Sequence, residues 1–229
     1  AVLMCNRILV LASNPGRISA EIQVNLPHPR NRLAPEFRQL VDEIYALMTR
    51  RKEPVAPGRE GAFSGLGIGA PLPEVSMETL AGLMEWVAGP PYKGRADLPA
   101  LTEEKQMTDD ELFPATETLQ LLRFAEVEEG DIKLTPAGLR FAEAEVDVRK
   151  RLFGEHLLAY VPLAARIRKV LDDRPSHSAR KARFIEELED FMSEDYAEQT
   201  LKSVIDWGRY GELFAYDETS ETFSLENPS

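Results

Sequence analysis

The sequence predicts a mainly α chain with small β-hairpins, in which a leading hairpin and helix precede two tandem modules of like construction. Three observations predict it. Apolar residues recur at spacings of three, four and seven through most of the chain. Short alternating runs occur in pairs around turn-forming residues. The order helix, helix, helix, hairpin is met twice after a stretch rich in glycine and proline.

The first element is the apolar run Asn6-Arg7-Ile8-Leu9-Val10-Leu11-Ala12-Ser13, followed by Asn14-Pro15-Gly16-Arg17 and a second alternating run. This is a hairpin, and an isolated hairpin needs a sheet or core to lie on. Residues 25–32 are basic and proline-rich and carry no regular element. Pro35 suits the first position of a helix whose apolar face is Phe37, Leu40, Val41, Ile44, Leu47 and Met48. Arg50-Arg51-Lys52 suits its C-terminal end, where exposed carbonyls favour positive charge. Together these form a leading unit, residues 1–52, and residues 53–74 read as a Gly/Pro-rich linker. Gly65-Leu66-Gly67-Ile68-Gly69 lacks the Gly-Lys-Ser/Thr ending of a phosphate loop and has no strand before it.

The first module spans residues 75–148. Ser76 caps a helix with Leu80, Leu83, Met84 and Val87 on one face, a short helix covers Leu98–Gln106, and Thr108-Asp109-Asp110-Glu111 is a capping box opening a third. Glu128-Glu129-Gly130-Asp131 then joins two short strands. The second module spans residues 149–229: Pro162 opens one helix, Phe184 and Leu188 mark the next, Ser193 starts a third, and Asp217–Glu221 turns between two strands. This order is that of a winged helix, so two tandem winged-helix-like modules are expected. Thr135 and Pro136 begin a stretch whose apolar Leu139, Ala142, Val146, Phe153 and Leu157 predict one long helix holding the modules at a fixed separation.

Of the 229 residues, 43% are hydrophobic, enough for real cores. The longest apolar runs, Ile8–Leu11 and Val161–Ala165, fall far short of the roughly 20 residues that span a bilayer, and no signal peptide is visible. A cytoplasmic protein is expected. Its one cysteine, Cys5, excludes an intrachain disulfide and reads as a buried, small apolar side chain. The net charge of −12 is uneven, with +3 on residues 1–55, −11 on 72–148 and −4 on 149–229. Such acidity argues against a general polyanion binder, and both third helices are acidic, so nucleic acid is not the expected partner. A winged-helix DNA-binding transcriptional regulator is the alternative reading.

No catalytic motif is legible. His28, His156 and His177 lack partners at metal-ligand spacing, and no nucleophile elbow, zinc-protease motif or Lys-bearing phosphate loop occurs. Expected are no catalytic, cofactor or metal residues in this segment. The acidic group Asp109, Asp110 and Glu111 reads as solvated charge and helix capping, and it offers an interaction surface. The aromatic residues Trp207, Tyr210, Phe214 and Tyr216, with Phe223, either fill the core under the second hairpin or form a patch that anchors a partner.

Asn6-Arg7-Ile8-Leu9-Val10-Leu11, with Asn14-Pro15-Gly16-Arg17-Ile18, resembles the last strands of an ABC transporter ATP-binding subunit of the nitrate, sulfonate, taurine or bicarbonate importer type. The family usually has Asp at the place of Asn6. The likeness runs on through Phe37–Met48. Pro90-Pro91-Tyr92, Leu134-Thr135-Pro136-Ala137-Gly138, Trp207-Gly208-Arg209-Tyr210 and Leu213-Phe214-Ala215-Tyr216-Asp217 resemble the AAA-associated C-terminal domain that some of these subunits carry. The resemblance implies a β-hairpin/helix remnant of an ABC ATPase domain, with the Mg-ATP-binding motifs upstream of Ala1. It implies a non-catalytic regulatory or interaction region, with transporter subunits or a second copy (a homodimer) as partners. The parent subunit would sit at the inner face of the bacterial plasma membrane, without insertion.

Overall fold

The computed structural model of the protein describes residues 2–12, 17–32, 34–49, 67–105 and 107–225. The Asn14-Pro15-Gly16 turn, the Arg50-Arg51-Lys52 run, residues 53–66 of the linker and Gln106 lie outside the described residues.

In the leading unit β1 (Arg7–Ala12) and β2 (Arg17–Gln23) pair antiparallel, with Ile8 opposite Ile22 and Val10 opposite Ala20. Side chains alternate across a strand, so Val10 and Ile22 share one face, and both are buried together with Val24. Arg30, in the proline-rich turn, locks the open end. Its five N–H donors go to the carbonyls of Val2 (2.7 Å), Cys5 (2.7 Å), Val24 (3.3 Å) and Leu26 (3.1 Å) and to Asn6 Oδ1 (2.7 Å). Cys5 is therefore held at the surface by its backbone, and its side chain is exposed rather than buried. Helix α1 (Pro35–Thr49) follows and buries Tyr45.

The next part comprises α2 (Met77–Ala88), β3 (Arg95–Asp97), α3 (Leu98–Lys105), α4 (Asp109–Leu121), β4 (Ala125–Glu128) and β5 (Asp131–Leu134). Ser76 Oγ accepts the Thr79 N–H at 3.1 Å and so caps α2. The sheet order is β3-β5-β4, all antiparallel. Leu80, Leu83, Met84, Leu112 and Leu119 of the helices and Ile132 of β5 are fully buried.

The predicted long connecting helix is two helices, α5 (Pro136–Glu143) and α6 (Val146–Tyr160). Ala144 and Glu145 are extended, with ψ of 157° at both. A straight helix would hold Phe141 and Phe153 about 18 Å apart along its axis. Their ring centroids are instead 6.3 Å apart, because both are drawn into one core. Arg149 holds the corner by donating to the carbonyls of Ala142 and Ala144, both at 2.7 Å, which the end of α5 leaves without helical partners. Helix-favouring Ala and Glu at the break gave no local signal; burial of two phenylalanines overrides propensity.

The last part repeats the earlier order: α7 (Pro162–Asp172), β6 (Ser178–Arg180), α8 (Lys181–Glu189), α9 (Glu194–Tyr210), β7 (Ala215–Asp217) and β8 (Thr222–Ser224), with sheet order β6-β8-β7. The two parts are not held apart by a rod. Their buried residues form one continuous cluster. Phe124, Phe141, Phe153 and Tyr210 meet at its centre, with Phe153 edge-on to Tyr210 at 5.5 Å. A close backbone approach lies beside them: a Cβ on Gly154 of α6 would stand 2.7 Å from the Gly211 carbonyl at the end of α9. The boundary expected after residue 148 thus falls inside α6.

The end of the expected linker is also structural. Residues 72–77 form a strap along α9, which binds the strap's backbone with one side chain after another. Leu72 N–H donates to Thr200 Oγ1 (3.3 Å), Ser203 Oγ to the Pro73 carbonyl (2.9 Å), Trp207 Nε1 to the Val75 carbonyl (2.9 Å) and Met77 N–H to Asp206 Oδ2 (3.3 Å). Among the described residues no helix is long and apolar enough to cross a membrane.

Candidate interaction surface

The candidate aromatic residues divide between core and surface. Trp207 and Phe214 lie inside, so they offer nothing to a partner. Trp207 packs as the strap's anchor through its indole N–H. Phe214 lies over Gly208, where a Cβ would come within 2.2 Å of its ring, so α9 needs glycine there to admit it. Tyr210 is half-buried in the central aromatic group, and burial raises its pKa, with Arg149 and Lys150 opposing. Tyr216 is half-buried on β7, 4.9 Å from the Phe223 ring, and burial raises its hydroxyl's pKa also. Only these two tyrosines keep accessible edges.

The acidic residues are all exposed at the start of α4, but their duties differ. Glu111 is the capping glutamate: its carboxylate accepts the Thr108 N–H at 2.9 Å and the Thr108 hydroxyl at 3.0 Å. Those bonds favour the charged form and lower its pKa. Asp109 Oδ1 accepts the Tyr45 hydroxyl of α1 at 2.7 Å. Asp110 points to solvent without a described partner.

Tyr45 is the residue that sequence reading missed. It is buried, its ring centroid lies 5.2 Å from that of Phe113, and its Cβ packs over the Gly130 turn of the β4–β5 hairpin. Burial first, then the Asp109 bond, pushes its hydroxyl pKa up, so it stays a donor. The signal was present: Tyr45 lies four residues after Val41 and three before Met48, on the same helical face. Nearby, burial raises the pKa of Asp97 despite the Ala100 N–H bond at 2.8 Å, and Asp42, Asp131 and Glu103 add to the rise. The surface around the α1 contact is thus strongly acidic.

Among the described residues, no three His, Cys, Asp or Glu side chains come together as a metal-binding group. His156 is stacked 4.4 Å over Phe124 with Nδ1 2.7 Å from the Leu122 carbonyl, and His177 Nδ1 lies 3.0 Å from the Leu171 carbonyl. What the described geometry arranges is contact: α1 against α4, and the strap against α9.

Comparison with known families gives a match to the C-terminal AAA-associated domain over residues 99–217, from the first turn of α3 to β7. The chain belongs to the C-terminal AAA-associated domain family. The AAA-associated domain in this chain is structurally larger than the matched stretch, since α2 supplies the fully buried Leu80, Leu83, Met84 and Val87 and the strap closes α9. Over 48 residues, 20% of this chain, it is 42% identical to a protein of Brucella melitensis biotype 1 provisionally named an ATP-binding protein. Brucella abortus and Brucella suis have similarly named proteins matching at the same identity over the same length. The chain matches only 20% of the first of these relatives and 18% of the other two. No solved structure matches the chain.

Proposed function

We propose that this AAA-associated chain is the non-catalytic C-terminal regulatory and interaction region of an ABC importer ATP-binding subunit of the nitrate, sulfonate, taurine or bicarbonate type. On this reading each of its two modules is winged-helix-like. The support is the repeated order of helix, strand, two helices and two strands, with the last strand central in each sheet. The region works by protein–protein contact or effector sensing, in the cytoplasm at the inner face of the membrane. Mg-ATP belongs to the ATPase domain of the parent subunit.

One observation carries the regulatory reading. Helix α1, which by resemblance closes the ATPase domain, is docked on α4 of the AAA-associated domain through Tyr45, Asp109 and Phe113. A displacement of either body must strain that contact, so the two are mechanically linked. In the intact subunit, removing residues 74–229 is expected to change transport rate, its inhibition by effectors, or subunit pairing. Because truncation bares the Tyr45 face, Asp109→Ala in the whole subunit serves as a second variant, losing the bond while keeping both modules. If transport, inhibition and pairing are all unchanged in both variants, the regulatory reading is wrong.

A further inference from the structure

Between residues 162 and 183 the chain carries seven Lys/Arg against two Asp/Glu, within a protein of net charge −12. Helix α7 and the junction of β6 with α8 carry four of these cations, and the Arg166–Glu187 pair joins the two helices along what we term the α7–α8 groove. Arg166 donates to both oxygens of Glu187 at 3.0 and 3.1 Å, and Arg183 reaches the same carboxylate at 3.3 Å. Lys169 follows Arg166 by three residues on α7, so the two lie on the same side of that helix. Arg180 is the last residue of β6 and immediately precedes α8, three positions before Arg183. Two arginines therefore share one carboxylate, with Lys169 and Arg180 on the same two segments and Asp173 the other acid near Arg166.

These cations are under-matched. Lys169 and Arg180 are exposed and have no ion-pair or hydrogen-bond partner among the described residues. Arg183 Nε is buried without an acceptor. The opposite charge is carried by the same chain on another face. Asp110 and Glu117 of α4 are exposed, seven residues and so two turns apart on one side of that helix, and neither has a described partner. No ion pair among the described residues joins that acidic face to the α7–α8 groove.

We propose that the α7–α8 groove docks the acidic α4 face of a second copy of this chain, with Arg166, Lys169, Arg180 and Arg183 meeting Asp110 and Glu117. The proposal rests on the reading that the region acts through protein–protein contacts, and it names the surface and the partner. A planar guanidinium offers paired donors that match a carboxylate, which suits arginine to this use. A two-fold arrangement makes the contact twice, each copy supplying one groove and one acidic face. Single exposed ion pairs are weak, so the association depends on several acting together and on salt.

Sedimentation velocity on the whole chain tests this. A dimer is expected at about 0.15 M salt and its dissociation at about 1 M, where the screening length falls to about 3 Å. The double variants Lys169→Glu/Arg180→Glu and Asp110→Lys/Glu117→Lys should each weaken self-association by at least about tenfold. Mixing the two should restore a dimer, because the positions reversed in one variant then face those reversed in the other with opposite signs. All four residues lack partners among the described residues, so circular dichroism should show both variants folded. A wild-type chain that stays monomeric at about 0.15 M salt, reversals without effect, or a mixture that remains monomeric would each overturn the proposal. So would salt-sensitive binding to phosphatidylserine vesicles or a short DNA duplex that Lys169→Glu/Arg180→Glu abolishes, because the groove would then serve that polyanion. A monomeric result leaves the truncation experiment in the intact subunit to judge the wider regulatory reading, so the two can fail separately.

Discussion

Trp207→Ala is expected to destabilise the protein by about 3–5 kcal/mol, the usual cost of emptying a core site of a large aromatic side chain. The indole is fully buried, and it closes the strap through its bond to the Val75 carbonyl. Removing it opens a cavity in the core beside residues 72–77 and leaves the buried Val75 carbonyl unpaired, itself worth about 1–3 kcal/mol. In a chain of this size the melting temperature should fall by about 6–20 °C. Trp207→Phe retains most of the ring contact and loses the bond, so it should fall between the two. The effect should also be local: the Leu72 and Met77 amides, bound by Thr200 and Asp206, should exchange hydrogen faster as the strap loosens. Loss of stability without faster exchange at those amides would mean that the strap does not depend on Trp207.

Gly154→Ala is the second large effect, expected at about 1–3 kcal/mol of destabilisation through overpacking. The added methyl would meet the Gly211 carbonyl at 2.7 Å and Leu213 at 3.2 Å, so α6 and α9 must move apart. That separation pulls at the Phe153–Tyr210 contact, and near-ultraviolet circular dichroism should report it. Gly82→Ala is the matched control. Nothing lies within 4 Å of its Cβ position in the middle of α2, so alanine there should stabilise by about 0.5–1 kcal/mol. Denaturant titration of both variants should therefore give opposite signs. Equal signs would contradict the close crossing of α6 and α9.

Much of the local structure was legible because it is written in nearby residues. Ser76 and Thr135 cap their helices through side-chain oxygens, Pro136 opens α5, and the Thr108–Glu111 capping box forms as its spacing requires. What escaped depends on contacts far apart in the chain. Strands β3 and β6 have three residues each, too few for an alternation to show, and exist because β5 and β8 pair with them. The break between α5 and α6 has helix-favouring residues and is imposed by the buried Phe141 and Phe153. The strap looked like linker because its bonds are backbone to α9 side chains about 130 positions away.

The candidate surface was legible in part for the same reason. Charge placed Asp109, Asp110 and Glu111 at the surface, but their differing engagements with Tyr45 and Thr108 need the fold. Aromatic clustering in sequence could not separate Trp207 and Phe214, which fill the core, from Tyr210 and Tyr216, which keep accessible edges. The basic groove was hidden inside a second half of net charge −4, since Arg166 and Arg183 meet at Glu187 only in the fold.

On the proposed function this chain contributes contacts and not nucleotide chemistry. Titration calorimetry of Mg-ATP into the chain decides between the two. Heats of dilution alone are expected; a saturable heat at one-to-one stoichiometry would mean that the chain itself binds nucleotide and that the proposed role is wrong.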